Sequence, residues 1–205
     1  MNFPLKSVPM ASDFHTHIHH PGKRELLDSG KGAAPLWSLS FHPWYTKEIP
    51  EISVEDMEQC AALGEIGFDK FHCEVSPDVQ FEIFSFLLQR AADHRKSVVL
   101  HWVGAYDKLF QMTAPFKGVP LLFHGYAKSS PGLLEELLKQ GFFVSLSPKI
   151  ISSPLIREFI RNNPGCRVGL ESDDNDVDIE TLYDTIGDPS FEKAADEHFG
   201  AFLQL

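Results

Sequence analysis

The residues Asp13-Phe14-His15-Thr16-His17 are the first in the chain that could do chemistry. Residues two apart on a strand point to the same face. At the end of a strand, His15 and His17 would present two imidazoles to one metal ion. Later stretches repeat the design, each a short apolar run that ends in His, Glu or Asp. They are Leu36 to Phe41 before His42, Ala61 to Ile66 around Glu65, Val98 to Leu100 before His101, Val119 to Phe123 before His124, and Arg167 to Leu170 before Glu171-Ser172-Asp173. Together His15, His17, His101, His124, Glu65 and Asp173 can hold two divalent ions. His15, His17 and Asp173 would bind one, His101 and His124 the other, and Glu65, with two oxygens, would bridge them. Imidazole and carboxylate ligands suit Zn, Mn, Fe or Co, and Mg less well. Two ions about 3.5–4 Å apart activate water and clamp a phosphoryl centre. Asp173, a ligand with a spare oxygen, is the candidate to orient the water and take its proton.

Such ligands meet only if the elements carrying them converge. The opening strand runs through His15 from an apolar lead-in of Val8, Met10 and Ala11. The stretch from His19 to Pro35 reads as loop, with one short element at Glu25-Leu26-Leu27. Ser53 caps a short helix through Cys60. The glycines of Gly64-Glu65-Ile66-Gly67 allow close backbone approach in a buried strand. Pro77 and Asp78 start a helix with an apolar stripe of Phe81, Phe84, Leu87, Leu88 and Ala91. Further helices are expected around Ala105 to Met112, from Pro131 to Gly141, from Pro154 through Arg161, and over Ile179 to Ile186 and Phe191 to Leu203. Seven strands alternate with helices, which implies parallel strands with right-handed crossovers. In a (β/α) barrel all strand C-termini meet on one face, where the active site sits. An open doubly wound sheet would leave the ligands in a line, too far apart to meet. The chemistry therefore argues for a barrel over residues 1–205 as one domain.

Size and composition agree. A chain of 205 residues supports one core, and 43% hydrophobic with 23% charged residues is ordinary for a globular protein. No apolar run is long enough to span a bilayer, and Met1 to Met10 lacks the apolar segment of a secretory signal. Three scattered cysteines, Cys60, Cys73 and Cys166, suit a reducing cytoplasm. The net charge of −11 argues against a broad basic face for nucleic acid, so any such contact should be local and metal-assisted.

The ordered set of motifs resembles the TatD-type metal-dependent hydrolases of the amidohydrolase-like barrel group. The matching stretches are Asp13 to His17, Phe41-His42-Pro43, Gly64-Glu65-Ile66-Gly67-Phe68-Asp69, Leu100-His101, Phe123-His124-Gly125 and Leu170-Glu171-Ser172-Asp173, with Gln80, Phe84 and Gln89 on the helix after the Glu65 strand. The resemblance runs over nearly the whole chain. It implies a distorted TIM barrel with two divalent ions (Zn, Mn or Mg) that hydrolyses phosphodiesters, DNA in particular, with no obligate protein partner. Three departures stand out. The gap from His17 to His42 is short, so one βα unit is expected to be missing or vestigial, giving seven to eight strands. The family's Arg after the third His motif is replaced by Trp102-Val103-Gly104, and its Asp-Ala-Pro ending by Asp173-Asp174-Asn175.

Other residues carry two readings. His42 either donates to a substrate phosphate or supports the Pro43-Trp44 turn, and Asp69 either backs a ligand His or shapes a turn. Glu171 either stands behind a ligand or, the preferred reading, is outward or structural, and His19, His20, His72, His94 and His198 read as surface or packing residues. Lys149 is a minor candidate for a phosphate contact, and the 17 Phe read as core rather than as a base-stacking surface. The acidic run from Asp173 to Glu180 lacks the central Gly of a calcium loop. The shared His-x-His opening also fits a histidinol-phosphatase-like phosphoesterase, but the Gly-Glu-Ile-Gly strand and single closing Asp173 favour the TatD pattern. An amidase, lactonase or small phosphoester hydrolase would use the same metals, and a catalytically silent metal-binding barrel that holds a partner is the non-enzymatic alternative.

Overall fold

The computed structural model describes residues 11–205, so the lead-in residues Val8 and Met10 and the segment Met1 to Met10 lie outside the described residues. Eight parallel strands close a barrel in chain order: β1 (Ser12–Thr16), β2 (Arg24–Asp28), β3 (Trp37–Leu39), β4 (Ala62–Asp69), β5 (Ser97–Val103), β6 (Leu121–Tyr126), β7 (Phe143–Leu146) and β8 (Val168–Leu170). Closure comes from Asp13 of β1 paired with Leu170 of β8, extended by a bridge between Thr16 and Asp173.

The short His17–His42 gap loses helices rather than a strand. Neither the connection 17–23 nor 29–36 contains a helix, and the element expected at Glu25-Leu26-Leu27 is the complete strand β2. A five-residue strand is about 17 Å long. Seven extended residues reach about 24 Å, so a bare chain can return beside a strand this short. The other crossovers carry α1 (Val54–Gln59), α2 (Pro77–Asp93), α3 (Tyr106–Thr113) with a 3-10 turn (Ala114–Phe116), α4 (Gly132–Lys139) and α5 (Pro154–Asn162); α6 (Ile179–Ile186) and α7 (Pro189–Leu203) follow β8.

Local sequence explains these elements. The Ser53 hydroxyl accepts from the Asp56 amide at the start of α1, and Ser76 caps α2 ahead of Pro77. Phe84, Leu87, Leu88 and Ala91 of α2 are fully buried, while Phe81 stacks on Phe68 of β4 at 4.7 Å between ring centroids. A side chain on Gly64 would meet the Val99 carbonyl at 2.5 Å, and one on Gly67 would strike the His101 carbonyl, so β4 and β5 approach as closely as the two glycines permit. At the other side of the barrel α7 lies over β1 and β8: Phe199 packs edge-on against Phe14 at 5.3 Å, and Arg24 of β2 reaches over to pair with Asp196. The C-terminal helix thereby covers β1, which no helix of its own follows.

Candidate metal centre

On β1 the side chains alternate. Ser12 bonds to Asp196 on α7 outside the barrel, whereas His15 faces Glu65 and Asp13 faces Ser172. His17 continues the inward row just past the strand. Glu65 reaches the same space from β4, His101 from β5, His124 from β6, and His42 from the loop after β3.

The two oxygens of Glu65 divide these groups. Oε1 lies 3.2 Å from His15 Nε2 and 3.0 Å from His17 Nε2. Oε2 lies 3.1 Å from His101 Nδ1, 2.6 Å from His124 Nε2 and 3.5 Å from His42 Nε2. Asp173 joins the first group, with Oδ1 3.6 Å from His17 Nε2. Its backbone is tied to the end of β1, its amide donating to the His15 carbonyl (3.1 Å) and its carbonyl accepting from the His17 amide (2.9 Å). It holds a left-handed conformation at φ +57°, uncommon for a residue with a side chain and tolerated best by Asp, Asn and His. The structure thus gathers all six residues expected as ligands, and adds His42 on the Oε2 side. His42 also accepts from the Trp44 amide through Nδ1 (3.2 Å), so one ring both enters the cluster and shapes the turn.

Behind the imidazoles stand buried carboxylates. Asp69 lies 3.1 Å from Nε2 of His101, Asp28 lies 3.7 Å from Nδ1 of His17, and Glu171 lies 3.7 Å from Nδ1 of His124. In each case the far ring nitrogen faces an acid and the near one faces Glu65. Carboxylates placed this way orient ligand imidazoles and fix their tautomer. Asp69 is itself held by Gln80, whose side chain accepts from the Asp69 amide (2.9 Å). Asp28 accepts from the Glu65 amide (3.2 Å) and the Ser38 hydroxyl (3.0 Å). Glu171 takes the less favoured of its two sequence readings: it is fully buried inside the barrel behind His124, accepting from the Gly125 amide (2.7 Å) and the Ser145 hydroxyl (2.5 Å). Two signals could have found these groups. Glu171 stands two residues before Asp173, the same spacing that pairs His15 with His17. Asp28 ends Leu26-Leu27, a minimal case of an apolar run closed by an acid. His19 and His20 bind the buried Glu25 instead, which pins the loop between β1 and β2.

The electrostatics follow from burial and proximity. Burial opposes ionisation of Glu65, but the fields of His124 and His15 and hydrogen bonds from His101 and His124 outweigh it and hold its carboxyl well below the usual range. The hydrogen bond to Glu65 raises His17 against its desolvation. Burial works against a charged His124, yet Glu65 and Glu171 raise it well above an ordinary imidazole. Asp13, buried on β1 two residues before His15, is pushed up to about 7 by desolvation, partly countered by the Ser172 hydroxyl and amide. The donor set suits divalent metal. His15 Nε2 and His17 Nε2 are 3.3 Å apart, and His124 Nε2 and His101 Nδ1 3.4 Å apart, so lone pairs confront each other unless a cation or proton lies between. Three ligand atoms fall within 4.8 Å of one another in four overlapping sets: His15, His17 and Asp173; His15, Glu65 and His124; His42, Glu65 and His101; His17, Asp28 and Glu65.

Known proteins place this centre in context. Two solved structures share the fold: the TatD homologue YJJV from Escherichia coli K12 (TM-score 0.70, 17% identity, 97% of this chain and 99% of that one) and a hydrolase TatD family protein from Entamoeba histolytica (TM-score 0.63, 12% identity, 96% and 95%). No curated protein sequence matches the chain. The sequence model of one family, TatD related DNase, matches residues 24–178, a span that holds Asp28, Glu65, His101, His124 and Asp173 and begins after His15 and His17. No helix among the described residues is long and apolar enough to cross a membrane. With three quarters of its length matched, the chain belongs to the TatD related DNase family.

Proposed function

We propose that this chain is a metal-dependent hydrolase that cleaves phosphodiester bonds in DNA in the manner of a deoxyribonuclease, with residues 1–205 acting as one catalytic unit in a reducing cytoplasm. The observation that carries this reading is the division of Glu65 between two sets of imidazoles, with one carboxylate, Asp173, on the first set. His15, His17 and Asp173 would hold one divalent ion with Glu65 Oε1, and His101 and His124 another with Oε2. Imidazole-rich ligands favour Zn or Mn over Mg. The ions supply Lewis acidity toward water and the phosphoryl group. Asp173 is only partly exposed (26%), and its backbone is tied to the end of β1, which sets its carboxylate beside His17. There it orients the attacking water and accepts its proton. Asp69, Asp28 and Glu171 hold the ligand rings in place while charge shifts.

Release of labelled nucleotides from single-stranded DNA with Mn or Mg, for wild type beside Asp173→Asn, tests this. Release by the wild type alone supports it. A second reading, a small phosphoester, amide or lactone as substrate, draws on the sparse positive charge: Lys128 is the one Lys or Arg lining the cavity beside His101, His124 and Asp173. Hydrolysis of such a small substrate with no nucleotide release would favour it.

A further inference from the structure

Among the described residues only three aromatic side chains stand open to solvent, and all three belong to loops at the metal-centre end of the barrel. Trp44 (37% exposed) and Tyr45 (76%) follow β3, and Phe71 (69%) follows β4. The other aromatics described are buried or half-buried. Open rings that cluster at one mouth mark a contact surface more often than chance exposure.

These rings are held rather than loose. The Trp44 indole donates to Asp69 Oδ2 at 2.8 Å, and the Phe71 amide donates to Asp69 Oδ1 at 2.8 Å. One buried carboxylate therefore fastens both loops. Trp44 stands edge-on to His42 at 4.9 Å and to His101 at 5.6 Å, and the Tyr45 ring lies 6.3 Å from Trp44. Trp44 and Tyr45 wall the same cavity as His17, His42, Glu65 and Asp173. Both residues thus border the candidate metal centre, and the acids Asp173 and Asp174 line that cavity too. With a net charge of −11, the chain has little positive field with which to grip a polyanion. Stacking on an aromatic face needs no such field, and every base has a π-face to offer.

We propose that Tyr45 and Trp44, with Phe71 on the neighbouring loop, form a stacking platform for an unpaired base of single-stranded DNA whose scissile phosphodiester lies at the metal centre. The inference rests on the phosphodiester reading above. A base inside a duplex is covered by its neighbours, so the platform selects single strands or frayed ends over duplex. Because stacking carries much of the grip, binding weakens only gently with salt.

Tyr45 tests the platform cleanly, since its ring is the most exposed of the three and touches no group that holds a ligand other than His42. The measurement is nucleotide release by the Mn-loaded protein from a short oligothymidylate, from an abasic strand of the same length, and from a blunt duplex. Wild type, Tyr45→Ala, Tyr45→Phe and Phe71→Ala are compared, with fluorescence quenching of the tryptophans by the oligothymidylate as a direct binding readout. The expected result is a wild-type KM at least about fivefold lower for the base-bearing strand than for the abasic one. Tyr45→Ala should erase most of that difference with kcat nearly unchanged, Tyr45→Phe should retain it, and Phe71→Ala should reduce it. Equal KM for base-bearing and abasic strands, or equal KM for single strand and duplex, overturns the platform while the phosphodiester reading stands. An undiminished preference in both alanine variants overturns it too. Cleavage of none of the strands overturns both readings.

Discussion

A carboxylate within 3.5 Å of five imidazoles must either sit among protonated rings or share those rings with cations, and Glu65 is in that position. Glu65→Gln keeps the shape but removes the charge that draws cations in. It should weaken binding of the first Mn or Zn ion by well over tenfold, measured by titration calorimetry on chelator-stripped protein. The acids behind the rings act one step away. Glu171→Gln or Asp28→Asn should each reduce metal affinity by about 10- to 100-fold with the fold intact, and unchanged affinity would remove their positioning role. Asp173→Asn should abolish nucleotide release while circular dichroism and melting stay near wild type, since its backbone bonds to β1 do not need the charge. Far from the centre, burial pushes the Cys166 thiol up to about 11. A raised thiol pKa keeps the neutral form through pH 9, where an unfolded cysteine is largely thiolate. Alkylation by iodoacetamide at pH 9 should therefore run roughly fifty times slower in the folded protein than in urea.

The elements succeed where their edges are tight. β4 carries Glu65 between two glycines, both at positive φ, with no room for a side chain against β5. Gly67→Ala would drive a methyl group into the His101 carbonyl and move a ligand strand. It should cost about 3 kcal/mol or more in urea unfolding and lower metal affinity together; a neutral result would show that the strands can part without harm. α7 stands in for the helix absent after β1. Its Phe199 is fully buried against Phe14, so Phe199→Ala should destabilise the protein by about 3–5 kcal/mol. Loss of that size from a helix so far along the chain would show that the terminal helix belongs to the barrel's core.

At the scale of the molecule, eight short strands place side chains from both ends of the sequence in one small volume, as the Thr16–Asp173 bridge illustrates. Metal that binds only this folded arrangement stabilises it by mass action, about 2.7 kcal/mol at a hundredfold excess over the dissociation constant. Chelation should lower the melting temperature by about 5–10 °C for a chain of this size. The drop should be reversed by Mn or Zn and be smaller in Glu65→Gln. A melting temperature indifferent to both chelator and metal would mean that the cluster is held together by protons alone.

The sequence alone determined the barrel and named the candidate ligand residues that the fold brings together, because both are written in local pattern. His15-Thr16-His17 shares a face through the two-residue strand period, and each later ligand ends its own apolar run, so the motifs could be ordered before any contact was known. The buried face of α2, the Ser53 cap and the helix α6 over Ile179–Ile186 were legible for the same reason. Tertiary structure alone decided which units were shortened, since β2 has only five residues and its partners lie elsewhere in the chain. It also decided that Asp28 and Glu171 stand behind His17 and His124, and that the exposed rings of Trp44, Tyr45 and Phe71 gather at one mouth. These are juxtapositions between distant segments, set by barrel closure and strand register, and no periodicity within one segment records which neighbour a side chain will face.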